Sequence, residues 1–180
     1  MKTKQELTKI RKKAKSDGAA FELRVRKDMT EKGWVVDKFG LNVEFIDANE
    51  GAPTRKAHLI VAKNKWAGIG RPMMMGAGFP DFVCFKYCPD AGETGYNYKQ
   101  DFPFIKDEDG DRFDELYARH LLIGVECKCD GYLSQLERQK CRWLLDNNIF
   151  SKILIAEKTK PKNRIVIVYH DFEEKYDKKL

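Results

Sequence analysis

The sequence lacks the features that would place it in a membrane or secreted class. None of its apolar runs approaches the ~20 residues that a membrane-spanning helix needs. The first residues contain no apolar stretch of the kind found in a secretory signal, so we expect a cytoplasmic protein without a membrane partner. The 5 cysteines are an odd number without the spacing of a disulfide framework, which favours a reducing compartment.

The composition predicts one globular domain that spans residues 1–180. Of these residues 42% are hydrophobic and 34% are charged, as in ordinary globular proteins. The net charge of +6 is unevenly spread: residues 1–15 hold seven Lys and Arg against one Glu, whereas residues 88–117 hold nine acids against three bases. A basic body with a basic arm suits a polyanionic partner such as nucleic acid, although lysines can also serve solubility alone.

Two helical segments are expected before the first strand. Residues 3–6 (Thr-Lys-Gln-Glu) form a capping box that opens a helix through about Lys15. Residues 16–18 (Ser-Asp-Gly) interrupt or restart this helix. Over residues 19–32 apolar side chains recur every four positions, which predicts one buried helical stripe, and Gly33 then ends the helix.

The rest of the chain predicts strands and one further helix. Ser134 and Glu137 form a second capping box, which opens a helix to about Asn147. Residues 58–62 fit a short strand or a helix, and the glycine-rich residues 68–80 fit a loop. Strands are expected at 34–39, 43–46, 81–85, 121–128, 152–156 and 164–169. This order predicts an α/β fold with a central mixed β-sheet flanked by α-helices.

Charged residues stand at the ends of two of these strands. Asp81 begins one strand, and Glu126 and Lys128 lie near the end of the strand 121–128. Since side chains alternate along a strand, Glu126 and Lys128 project from the same face. A charged pair at the end of a buried strand is costly unless something neutralises it. Carboxylate oxygens suit Mg²⁺, and a neighbouring lysine can position or deprotonate a water molecule or offset phosphate charge.

This arrangement resembles the PD-(D/E)xK nuclease superfamily. The matching residues are 80–81 (Pro-Asp) and 126–128 (Glu-Cys-Lys), and 45 positions separate the aspartate from the glutamate. Within the superfamily the chain is similar to the Holliday-junction-resolvase-like and virus-type repair nuclease (VRR-NUC) branch. Residues 18–22 (Gly-Ala-Ala-Phe-Glu), residues 32–36 (Lys-Gly-Trp-Val-Val) and Gln139 carry this second likeness.

The resemblance covers residues 18–40, 76–86 and 121–170, and it implies a restriction-endonuclease-like core. Residues 1–15 are then a basic helical arm on that core, and residues 88–117 are an acidic insertion. The implied function is that of a Mg²⁺-dependent deoxyribonuclease, an endonuclease that hydrolyses phosphodiester bonds of branched or junction DNA in repair or recombination. The nearest alternative is a restriction-type or replication-repair nuclease.

The resemblance also implies the roles of the site residues. Asp81, Glu126 and the backbone carbonyl of Cys127 would bind Mg²⁺, for which Mn²⁺ can substitute, with Glu22 as an outer or second-metal ligand. Lys128 would contact the scissile phosphate or the attacking water. The implied catalytic set is Glu22, Asp81, Glu126, Lys128 and Gln139.

Contacts with DNA are expected outside this set. Lys12 and Lys13 of the arm, Arg24, Lys65 and Arg71 are the candidates for binding the phosphate backbone. The arm fits a dimer element equally well. Enzymes of the superfamily that the chain resembles often act as dimers to cut two strands, so the resemblance implies a homodimer.

Each of these functional assignments has a structural alternative. Asp81 after a proline fits a turn, Glu126 and Lys128 fit an exposed ion pair on an edge strand, and Glu22 fits a solvated helix charge. The thiols of Cys84, Cys88, Cys127 and Cys129 could together hold zinc or an iron–sulfur cluster, but buried free cysteines are the commoner case. A catalytically silent nucleic-acid-binding or protein-interaction module is the alternative from another functional class.

Overall fold

The computed structural model describes residues 3–46, 56–63, 78–87, 120–161 and 164–176. Within these ranges the chain forms helices and strands in the order α1, β1 to β5, α2, β6, β7, α3. The helices are α1 (Lys4–Glu31), α2 (Gln135–Asp146) and α3 (Phe172–Tyr176). The strands are β1 (Val35–Lys38), β2 (Leu41–Phe45), β3 (Ala57–Val61), β4 (Phe82–Tyr87), β5 (His120–Lys128), β6 (Lys152–Thr159) and β7 (Val166–Asp171).

Five strands form one mixed sheet in the order β1-β4-β5-β6-β7. Strands β4 and β7 run antiparallel to their neighbours, whereas β5 and β6 are parallel. A parallel pair needs a crossover between its strands, and α2 provides it. Strand β5 lies at the centre of this sheet. The expected α/β class and the central mixed sheet are thereby confirmed.

Helix α1 is one continuous helix of 28 residues. The capping box of Thr3 and Glu6 begins it as predicted, and Gly33, with a φ of 82°, follows its end at Lys32. The expected interruption at residues 16–18 is wrong. A glycine inside a helix costs only about 1 kcal/mol relative to alanine, too little to end a helix that continues on both sides.

The buried stripe of α1 covers one face of the sheet. Phe21, Val25 and Met29 are fully buried and share one core with side chains of β1, β4 and β5. Most of the side chains before Phe21 are exposed, so the first half of α1 lies outside this core. The core partners of α1 are Trp34, Val36, Phe82, Cys84, Leu121, Ile123, Val125, Leu154 and Ala156.

The opposite face of the sheet is covered by α2, α3 and the hairpin β2–β3. Strands β2 and β3 form their own two-stranded sheet, and β2 overlaps the strand expected at residues 43–46. The sequence fits either a strand or a helix at residues 58–62, and the structure has strand β3 there. The second core consists of Val43, Phe79, Leu133, Cys141, Leu144, Phe150, Ile153, Ile155 and Phe172.

Helix α3 was not predicted, and it ties the end of the described chain to the turn after β5. The Lys175 ammonium donates a hydrogen bond to the carbonyl of Gly131 at 2.8 Å. The backbone N–H of Leu133 donates to the hydroxyl of Tyr176 at 2.9 Å. Because this turn leads directly into α2, α3 helps to hold the start of that helix.

No helix within the described ranges is long and apolar enough to cross a membrane. The expected acidic insertion at 88–117 lies outside the described residues.

Gly78 lies where the main sheet and the hairpin share a backbone contact. The N–H of Phe79 donates to the carbonyl of Leu41 at 2.9 Å. A Cβ atom at residue 78 would stand 1.8 Å from the carbonyl oxygen of Phe39 and 2.4 Å from that of Leu41. Both obstacles are backbone atoms, so only glycine permits this approach.

We therefore expect Gly78→Ala to lower the free energy of unfolding by about 3 kcal/mol, because the added methyl group must push two backbone segments apart. Urea unfolding followed by tryptophan fluorescence measures this change. Gly18→Ala is the matched control, since an added Cβ there meets nothing within 4 Å. That control should keep or raise the midpoint, and an equal loss in both variants would contradict the role of the close approach.

Candidate active site

The site residue Asp81 is placed by the packing of the segment before β4. In the antiparallel pairing Phe82 lies opposite Val125, so Asp81 comes opposite Glu126 one step further. Pro80 packs on the bare backbone of Gly124, where an added Cβ would stand 2.8 Å from the proline Cγ. The carbonyl of Asp81 also accepts a hydrogen bond from the N–H of Phe39 at 3.2 Å. Backbone contacts on both sides thus hold Asp81 at this end of the sheet.

Asp81 and Glu126 are joined by reciprocal hydrogen bonds. The N–H of Asp81 donates to Oε2 of Glu126 at 3.1 Å, and the N–H of Cys127 donates to Oδ2 of Asp81 at 2.9 Å. Each carboxylate therefore accepts from the backbone of the other strand. The two predicted acids, 45 residues apart in sequence, are brought together with the backbone of Cys127.

Lys128 projects from the same face of β5 as Glu126, as the alternation predicts. Its ammonium lies 3.1 Å from Oε1 of Glu126 and 2.5 Å from Oε1 of Glu137 on α2. Glu126 is only 5% exposed, so the alternative of an exposed pair on an edge strand is wrong. Glu137 was predicted only as a capping residue, and its contact with Lys128 depends on tertiary packing that the local pattern does not show.

Burial perturbs both carboxyl groups at this position. The pKa of Glu126 is raised to about 8, first by burial and then by the negative charge of Asp81, and Lys128 opposes the rise without cancelling it. The pKa of Asp81 is also raised by burial, although the hydrogen bond from Cys127 opposes the rise, and Glu22 adds to it. Both carboxyl groups are therefore harder to ionise than exposed ones, and a bound cation would favour their ionised form.

The charge on Lys128 is held in place by its two partners. Burial alone would lower the pKa of Lys128, but the carboxylates of Glu137 and Glu126 outweigh burial and raise it above the ordinary lysine value. The pKa of Glu137 is lowered, since the hydrogen bonds from Lys128 and Ser134 outweigh its burial. Lys128 is thus an ammonium donor at neutral pH, which favours the alternative that it positions a water or offsets phosphate charge.

Glu22 approaches the site from α1. Its carboxylate pairs with the ammonium of Lys38, which lies at the end of β1 and stands 4.8 Å from the ring centroid of Phe82. The charges of Glu22 and Lys38 both act on Asp81. Lys38 was not predicted. Its place beside the site follows from its pairing with Phe82 across β1 and β4, which the sequence pattern of either strand alone does not show.

Helix α2 also brings a second lysine near the acids. Lys140 lies three residues after Glu137 and hence on the same face of the helix. Its ammonium donates to Oδ1 of Asn42 at 2.7 Å, and burial lowers the pKa of Lys140. Gln139, the residue predicted on this helix, is half-buried, and its catalytic role stays a prediction.

The residues predicted to bind DNA fall into two groups. Lys12, Lys13 and Arg24 lie on α1 with exposed side chains. Lys65 and Arg71 lie outside the described residues, and so does Cys88.

The described cysteines are placed mainly by packing. Cys84 is buried in the core beneath α1, and burial raises its pKa to about 12, so its thiol stays protonated at neutral pH. Cys127 packs against the same core, and burial raises its pKa as well. Cys129 is exposed. A protonated thiol in an apolar core is a poor ligand, which favours the interpretation of free cysteines.

The donor atoms at the site suit a hard divalent cation. Asp81 and Glu126 offer carboxylate oxygens, and a bound cation would oppose the effect of burial, which raises the pKa of both carboxyls. In the described part of the chain no three His, Cys, Asp or Glu side chains stand in the arrangement of a metal site. The ammonium of Lys128 lies against Oε1 of Glu126 at 3.1 Å.

Comparison of the chain with protein-family models, with curated proteins and with solved structures gave no match.

The raised pKa of Glu126 leads to a pH-dependent stability in the absence of divalent cations. An unfolded glutamate releases its proton near pH 4.3, whereas folded Glu126 keeps its proton to about pH 8. The unfolded state therefore binds fewer protons in this window, so the contribution of Glu126 to stability falls as the pH rises.

Glu126→Gln removes this titration, and we expect the melting temperature of the variant to gain on that of the wild type as the pH is raised from 5 to 8 in EDTA. Differential scanning calorimetry at fixed ionic strength gives both values. Glu31→Gln, which changes an exposed glutamate at the end of α1, should follow the wild type. If Glu126→Gln also follows the wild type, the carboxyl of Glu126 does not titrate in this window.

Proposed function

We propose that the chain is a metal-dependent deoxyribonuclease of the PD-(D/E)xK superfamily. The observation that carries this proposal is the contact set of Asp81, Glu126 and Lys128, which lie together at one end of a mixed sheet. If an Asp and a Glu-x-Lys sequence occurred in the chain by chance, nothing would require them to meet. Here hydrogen bonds join Asp81 to the strand of Glu126, and Lys128 contacts Glu126. The mixed five-stranded sheet between helices supports the finer proposal of a restriction-endonuclease-like core.

In this proposal Asp81 and Glu126 hold Mg²⁺ or Mn²⁺ together with the carbonyl of Cys127, and Glu22 is an outer ligand. When bound, the cation acts as a Lewis acid and lowers the pKa of its water. The protein side chains then bind and orient the substrate. Lys128 donates hydrogen bonds from its ammonium to a phosphate or water oxygen, a role that its raised pKa supports.

The exposed half of α1 supports DNA as the substrate. Residues 4–20 would extend about 25 Å at 1.5 Å per residue, and nearly all of their side chains are exposed. Six of the seven Lys and Arg of residues 1–15 lie on this helix. Such a helix can contact the phosphate backbone without reading its sequence. A branched DNA substrate and a homodimer remain the favoured forms of the proposal, with a restriction-type or repair nuclease as the alternative.

Cleavage assays test the proposal directly. Labelled four-way junction, flap, single-stranded and linear duplex DNA are incubated with the protein in Mg²⁺, Mn²⁺ or EDTA. We expect metal-dependent cutting. Asp81→Asn, which removes a charge that holds the cation, and Lys128→Ala, which removes a charge that acts at the reacting phosphate, should each lose about 100-fold or more.

Glu44→Gln and Lys160→Gln are matched controls, since both residues are exposed. Their activities should equal that of the wild type. If no substrate is cut but DNA is bound, the protein is a nucleic-acid-binding module without catalysis, and the nuclease proposal is overturned.

The role of the arm has its own test. Lys12→Gln and Lys13→Gln together should weaken binding to duplex DNA and reduce the slope of log affinity against log salt by about 2, since each lost phosphate contact lowers that slope by about 0.9. Fluorescence anisotropy over a salt series measures the slope. Lys160→Gln serves as the single-charge control away from α1, and an unchanged slope in the double variant would show that the arm does not bind phosphates.

A further inference from the structure

Glu137 uses its two carboxylate oxygens for two different tasks. Oε2 accepts hydrogen bonds from the backbone N–H and from the hydroxyl of Ser134, both at 2.8 Å, and so completes the capping box of α2. Oε1 lies 2.5 Å from the ammonium of Lys128. The cap fixes the rotamer of Glu137, and the fixed rotamer presents Oε1 to Lys128. The first turn of α2 thereby carries a negative charge to the end of β5.

Glu126 has both oxygens engaged within the protein. Oε2 accepts from the N–H of Asp81 at 3.1 Å, and Oε1 lies 3.1 Å from the ammonium of Lys128. A cation that binds Oε1 must therefore displace Lys128 from Glu126. The second partner of Lys128 is Glu137 on α2, which lies closer to the ammonium than Glu126 does.

We propose that Glu137 is a positioning residue for Lys128: it retains the ammonium at the end of β5 while Glu126 turns its Oε1 to a divalent cation. This inference rests on the proposed function. Glu137 lowers the cost of cation binding, because Lys128 keeps one carboxylate partner when it gives up the other. It also keeps Lys128 beside the site, so that the ammonium is in place when a phosphate arrives.

The substitution Glu137→Gln separates this role from helix capping. Glutamine serves at this position of a capping box as glutamate does, so α2 keeps its cap. The ion pair with Lys128 is lost, and Lys128 then depends on Glu126, which binds it in competition with the cation. We expect about tenfold weaker binding of Ca²⁺, a cation that probes affinity apart from turnover, as measured by isothermal titration calorimetry.

Glu6→Gln is the matched control, because Glu6 has the same place in the capping box of α1. Its Ca²⁺ affinity should equal that of the wild type. In cleavage assays Glu137→Gln should raise the Mg²⁺ concentration for half-maximal rate more than it lowers the rate at saturating Mg²⁺. A purely structural role would lower thermal stability instead and leave the Ca²⁺ affinity of the folded protein unchanged.

A double-mutant cycle shows whether Glu137 acts through Lys128. In a Lys128→Ala background Glu137→Gln should no longer change the Ca²⁺ affinity, since the group that Glu137 positions is gone. Equal weakening in both backgrounds would mean that Glu137 acts on the cation itself and would overturn the proposal.

The outcomes also distinguish this proposal from the one on which it rests. If the wild type binds Ca²⁺ and cuts DNA but Glu137→Gln retains wild-type affinity, only the positioning role is overturned. If the wild type binds no Ca²⁺ at the site, the proposed metal-dependent nuclease and the positioning role are both overturned.

Discussion

The buried carboxylate of Glu126 is the constraint on which the arrangement of the site depends. A carboxylate that is taken out of water must be hydrogen-bonded and compensated, or it becomes protonated. Here the compensation comes from the backbone of Asp81 and the ammonium of Lys128, that is, from the neighbouring strand and from its own strand. Compensation is incomplete, as the raised pKa of Glu126 records. Burial therefore favours the neutral form of this carboxyl group at the end of the sheet.

Part of the arrangement of Asp81, Glu126 and Lys128 could be predicted from local rules, whereas the meeting of Asp81 with the other two was expected from the family resemblance. Alternation along a strand placed Glu126 and Lys128 on one face, and a strand opening after Pro80 placed Asp81 at an end of the sheet. The contacts of Glu137 and Lys38 could not be predicted in this way. They depend on how α2 and β1 pack against β5 and β4, and such tertiary contacts leave no periodic signal in either segment.

Helix boundaries, too, could be predicted where local preferences set them and could not where tertiary packing does. Both capping boxes and the glycine after α1 carry side-chain or backbone preferences that act within one turn, and the structure confirms them. The continuity of α1 through Gly18 was missed, because the sequence shows that glycine weakens a helix but not that the packing of Phe21 and the cap at Thr3 stabilise it from both sides. The hairpin β2–β3 was missed for a similar reason, since its separation from the main sheet follows from which strand pairs with β4.

The attachment of α3 to the turn after β5 has a consequence for the order in which the site is completed during synthesis. Asp81, Glu126 and Lys128 all leave the ribosome before the residues of α3 do. Until Lys175 and Tyr176 emerge, the turn at Gly131 lacks two of its hydrogen-bond partners, and the start of α2 is held less firmly. A nascent chain that already contains the full set of acids therefore presents Glu137 to Lys128 in a less ordered geometry, and α3, which is synthesised after them, completes the ordered arrangement.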